Sequence, residues 1–168
     1  MLKVSSAGLL FLLAGCGSSG LQVLAPPARG FSKFGRAEIR DVKVELRHSL
    51  TEGWKSEAWR DTGPLRSDLY QRLIGRGLFQ GGGPPITIEI RIVRFDPEWS
   101  EPTLQGGRGG VWSVSITLDV RFFDAQGSLI SRVECDGLSE TRGVVTATAA
   151  EAHVEALRSL LNFIDEHR

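Results

Sequence analysis

The chain has 168 residues, with 20 Lys+Arg against 20 Asp+Glu and a formal net charge of zero. That balance excludes a general nucleic-acid binder, which needs a basic excess. With 41% hydrophobic and 24% charged residues the composition is that of a folded domain. Two cysteines exclude a disulfide scaffold and a four-cysteine zinc site.

Lys3 precedes an apolar run from Ala7 to Ala14. The run is too short to cross a bilayer as a helix, which takes roughly 20 residues. It has the length of a signal-peptide core. It ends in Leu13-Ala14-Gly15-Cys16. This tetrapeptide resembles the lipobox of bacterial lipoproteins at all four positions. The resemblance implies cleavage before Cys16 and acylation of its thiol and new amine. Small residues at 14 and 15 admit the backbone to a protease site, and Cys supplies the nucleophile for lipid transfer. Two or more acyl chains make a stable anchor. In enteric-type lipoproteins Asp at the next position favours retention at the inner membrane; with Gly17 there, the resemblance implies an outer-membrane address facing the periplasm where the cell has an outer membrane.

The expected organisation is a signal peptide over 1–15, a lipid-anchored tether over 16–35 and one domain over 36–168. The tether assignment rests on Gly, Ser and Pro content without a sustained period. Residues 36–46 are expected to hold a strand, with Val42, Val44 and Leu46 on one face. A polar loop with Trp54 and Trp59 follows. Asp61 or Thr62 then caps a helix whose first turn holds Pro64. Leu65, Leu69, Tyr70, Leu73 and Ile74 form its apolar face, and Gly75 and Gly77 end it.

In 86–95 Ile86, Ile88, Ile90 and Ile92 alternate with polar residues, the period of a half-buried strand. A 14-residue loop, 97–110, carries Trp99. A strand at 111–124 puts Trp112, Val114, Ile116, Leu118, Val120 and Phe122 on a core face and its odd positions toward water. After a turn at 125–127, residues 128–138 form its hairpin partner. A last helix over 147–166 carries the stripe Ala150, Val154, Leu157, Leu161 and Ile164.

The order β-α-β-β-β-α predicts an α/β two-layer sandwich. Strands one and two are expected to be parallel, and strands two to four an antiparallel meander. The one-sided alternation puts both helices on one face of a mixed four-stranded sheet. This layout, over 86–166 and with strands at Val114–Asp124 and Gly127–Cys135, resembles small envelope lipoproteins of unknown function. It is also similar in element order to the lipopolysaccharide-assembly lipoprotein. These families imply no defined activity and no site residue beyond the lipobox Cys.

Little in the chain spells catalysis. His48, His153 and His167 are far apart and read as solvated, His153 at most half buried, so no metal site is expected. Gly81–Gly83 and the glycines of 106–110 open strands rather than helices, which argues against a phosphate loop. Cys135 reads as a small buried hydrophobe. Glu89, Arg91, Asp119, Arg121, Arg132, Glu134 and Asp136 read as solvated cross-strand partners. No cofactor is implied. Three loop tryptophans, Trp99, Trp54 and Trp59, are the candidate partner contacts, because exposed Trp is enriched at binding surfaces.

The expected function is a non-enzymatic binding or structural component of an envelope complex. It would be anchored to the membrane through Cys16, with an envelope protein or a glycolipid as partner. The alternatives are a carrier of a lipid or small hydrophobic ligand and, less favoured, an envelope hydrolase.

Overall fold

The computed structural model describes residues 20–27, 30–47, 62–100, 110–141 and 145–168. In chain order they form β1 (Leu21–Ala25), a 3-10 turn (Phe31–Lys33), β2 (Arg36–Ile39) and β3 (Lys43–Val44). Then come α1 (Thr62–Gly75), β4 (Pro85–Ser100), β5 (Val111–Phe123), β6 (Leu129–Thr141) and α2 (Val145–Glu166). The strands make one sheet in the order β1-β6-β5-β4-β2, with β3 also paired to β4.

The parallel start and the antiparallel meander are as expected. β2 runs parallel to β4, and β4, β5 and β6 are successively antiparallel. The four-stranded sheet is corrected to six among the described residues. The single strand expected over 36–46 is two short ones, both on β4. The larger difference lies in 16–35. Leu21–Ala25 pairs antiparallel with β6, and Phe31 is buried against Phe122 and Phe163. A run of five residues is too short to show a period, and β1 gains its order from the β6 edge it completes.

The core lies between the helices and one sheet face. Ile86, Ile88, Ile90 and Ile92 of β4 and the even positions of β5 from 114 to 122 meet Leu65, Leu69 and Leu73 of α1 and Leu157, Leu160, Leu161 and Ile164 of α2. Tyr70 and Ile74, expected on the buried face of α1, are exposed. On α2 the buried arc turns toward Ala149, Ala152, Ala156 and Phe163, while Ala150 is exposed. Small side chains let α2 settle directly on β6. A Cβ at Gly137 would stand 1.9 Å from the Ala152 carbonyl oxygen, so only glycine fits that crossing.

Alternation in β4 changes phase once. Ile92 faces Leu118 and Arg94 faces Thr117, so Val93 has no partner of its own in the ladder. The bulge carries Phe95 into the core and sets Trp99 on the same face as Trp112, its cross-strand partner. It also extends β4 to Ser100, through what the sequence presented as the start of a loop.

Candidate contact surface

Of the tryptophans expected to make contacts, Trp54 and Trp59 lie outside the described residues, as does Cys16. Trp99 is placed, on the last turn of β4's ladder rather than in a loop. Its side chain is 49% exposed. The ring leans on Trp112 with centroids 5.1 Å apart and planes tilted by 53°. A Cβ at Gly110 would meet the Trp99 ring at 2.0 Å, so the glycine preceding β5 is the floor on which the indole rests. The two rings therefore form one aromatic step at the end of the β4–β5 ladder. The phase shift was visible in Ile92-Val93-Arg94-Phe95, where two adjacent apolar residues interrupt strict alternation.

The opposite sheet face is charged, and it differs from the solvated surface expected. Asp119 is 1% exposed and Thr117 is 6% exposed. Arg132 Nε donates to Asp119 Oδ1 at 2.8 Å, and Arg121 Nη2 donates to Oδ2 at 2.8 Å. Glu134 is held by Arg47, Glu89 by Arg40, and Arg91 by Glu45. The strand register explains the arrangement. Asp119 lies directly opposite Glu134, and Arg121 directly opposite Arg132. Like charges in direct opposition repel; here Asp119 answers both arginines, Arg132 on the diagonal and Arg121 two residues along its own strand, while Arg47 answers Glu134. Burial pushes the Asp119 carboxyl up, but hydrogen bonds from Arg132 and Arg121 outweigh it and hold the group below its ordinary value. Thr117 Oγ1 donates to Asp136 at 2.6 Å, so this odd position of β5 is also committed.

Among titratable groups on the helix side, His153 is buried rather than solvated, and burial lowers its pKa to about 4. His167 Nδ1–H donates to the Phe163 carbonyl oxygen at 2.8 Å, with its ring against that phenyl ring. Cys135 lies inside the core, its thiol pushed up to about 12 by burial and then by Asp136 and Glu134. A thiol so placed is a packing group rather than a nucleophile. Among the described residues no three His, Cys, Asp or Glu side chains gather where a metal ion could be held. Among them too, no helix is long and apolar enough to cross a membrane.

No family model and no curated protein matches the chain. Its likenesses are to solved structures. A PelC variant dodecamer from Paraburkholderia phytofirmans is 11% identical with a TM-score of 0.44, over 86% of this chain and 96% of that one. A putative neuraminyllactose-binding hemagglutinin homolog from Helicobacter pylori is 9% identical with a TM-score of 0.47, over 86% of this chain and 88% of that one. A minor lipoprotein from Acinetobacter baumannii is 12% identical with a TM-score of 0.38, over 79% and 91%.

Proposed function

We propose that the chain is a lipid-anchored envelope protein that binds or braces a partner without catalysing a reaction. The observation that carries this reading is the tetrapeptide Leu13-Ala14-Gly15-Cys16 behind a short apolar run and Lys3. Gly17 directs the anchored protein to an outer membrane, with the domain in the periplasm.

The placed side chains support a binding role. Glu89, Glu134 and Asp119 of the charged face are tied to arginines, and Cys135 is sealed in the core. Leu69, Ile86, Ile88 and Phe163 fill the layer between helices and sheet, where a carrier would need room for its ligand. The exposed Trp99 is the contact anchor.

The test is lipid incorporation. Cells fed an alkyne fatty acid should yield labelled wild-type protein in the membrane fraction, and Cys16→Ser should be unlabelled and either soluble or uncleaved. A Cys16→Ser protein that is cleaved and remains on membranes would overturn the proposal.

A further inference from the structure

We propose that the sheet end bearing Trp99 and Trp112 seats in the headgroup layer of the bilayer that holds the Cys16 acyl chains. The inference rests on the reading that Cys16 is acylated, and goes beyond it by assigning the surface that meets the lipid.

The first support is reach. The sheet begins at once after the lipobox: Asp136 N–H donates to the Gly20 carbonyl oxygen at 2.8 Å, and β1 starts at Leu21. Three residues, and so four steps along the chain, separate Gly20 from Cys16. At no more than ~3.6 Å per residue, the anchor lies within ~14 Å of the sheet. A lead of that length cannot hold the domain clear of the membrane.

The second support is direction. β1 runs antiparallel to β6, from Cys135 toward Arg132. Its N-terminal end therefore faces the other way along β6, toward Thr141. Thr141 is the cross-strand neighbour of Trp112, and Trp112 that of Trp99. From Asp136 to Thr141 is five residues, ~17 Å of strand. Even fully extended along β6, the lead brings Cys16 only to about the level of Glu140. The aromatic step stands at or beyond the level of the anchor, whatever path the lead takes.

The third is chemistry. Indole rings settle at the membrane–water interface, apolar body inward and N–H toward water. Trp99 is half exposed and is braced by Trp112 and Gly110, so it is presented rather than tucked away. Glu98 and Glu140 are exposed at the same end and oppose anionic headgroups. Among the described residues these charges favour a zwitterionic over an anionic bilayer.

The experiment uses the full processed protein, extracted from membranes and reconstituted into phosphatidylcholine vesicles with or without brominated acyl chains. Bromine quenches tryptophan only at close range. The wild type should be quenched, and Trp99→Phe, which keeps an aromatic ring over Gly110, should lose at least half of the quenchable emission. Absent quenching, or quenching undiminished in Trp99→Phe, overturns the inference. Mass analysis of the N-terminal peptide separates the two readings. Acylated Cys16 with unquenched Trp99 sinks only the bilayer contact, whereas unacylated Cys16 sinks both. In a second arm, a benzophenone side chain at position 99 should crosslink to lipid. Crosslinks between two copies of the chain would make a second copy the occupant and overturn the proposal.

Discussion

Asp119 is the residue on which the charged face turns. Its two arginine partners stand directly opposite one another, and the carboxylate is what lets them do so. Asp119→Asn keeps the shape but removes the charge. Breaking a fully buried pair costs roughly 3–5 kcal/mol. Arg121 and Arg132 are 26% and 33% exposed, so a loss of about 2–3 kcal/mol is expected in urea unfolding. The pH dependence follows in sign. The folded carboxyl is held below its ordinary value, so its contribution is complete above the unfolded value and is lost as pH falls through the folded one. Asp119→Asn should flatten the acid limb of the stability profile. His153 acts in a higher window. Its pKa falls from 6.5 to about 4 in the fold, so the unfolded chain takes up the extra proton between those values. Stability should drop as pH falls across that range, by about 3 kcal/mol in total. His153→Leu should remove that slope, as read by melting temperature at stepped pH.

At the scale of elements, the bulge at Val93 and the crossing at Gly137 decide where things sit. Gly137→Ala would drive a methyl group into the Ala152 carbonyl, backbone against backbone. Overpacking costs about 1–3 kcal/mol, and with rigid elements on both sides the upper end is expected by thermal melt. Ile116 and Thr117 illustrate the two faces of β5. Ile116→Asp should unfold the domain, since an unpaired charge would enter the core. Thr117→Asp, harmless on a wet face, should also destabilise, because the new carboxylate would meet Asp136. Period-two alternation made β4 and β5 legible in the sequence, along with the inward set from Ile86 to Ile92. It could not disclose that the outward positions of β5 are covered by neighbouring arginines, since long side chains bury what a pattern of polarity leaves exposed. Trp99 is placed by the break in that alternation at Ile92-Val93, which shifts the face of every later residue of β4 by one. The stripe expected on α2 was off by part of a turn because alanine counts weakly as apolar, yet Ala149, Ala152 and Ala156 are where the helix comes closest to the sheet. Trp54 and Trp59 stand out by residue type alone and Cys16 by the lipobox pattern; all three lie outside the described residues.

For the molecule as a whole, residues 20–27 and 30–35, expected as part of a tether, belong to the fold. Phe31→Ala separates these pictures. In a tether it would cost nothing; against Phe79, Phe122 and Phe163 it should cost about 3–5 kcal/mol in chemical unfolding. The backbone N–H of Phe31 also donates to the carbonyl oxygen of His167 at 2.7 Å, so the early segment is clasped by the residue that follows α2. This clasp sets an order of assembly. Leu21 finds its partner Cys135 more than a hundred positions later, and Phe31 finds His167 at the far end of the chain. Contacts of such sequence separation form late, because a long loop must close before they return anything. β1 can complete the sheet only once β6 has been made, and the clasp on Phe31 closes only once His167 has been made. Until β1 docks, the outer edge of β6 is unpaired, and it is the early segment that keeps this edge from pairing with another chain.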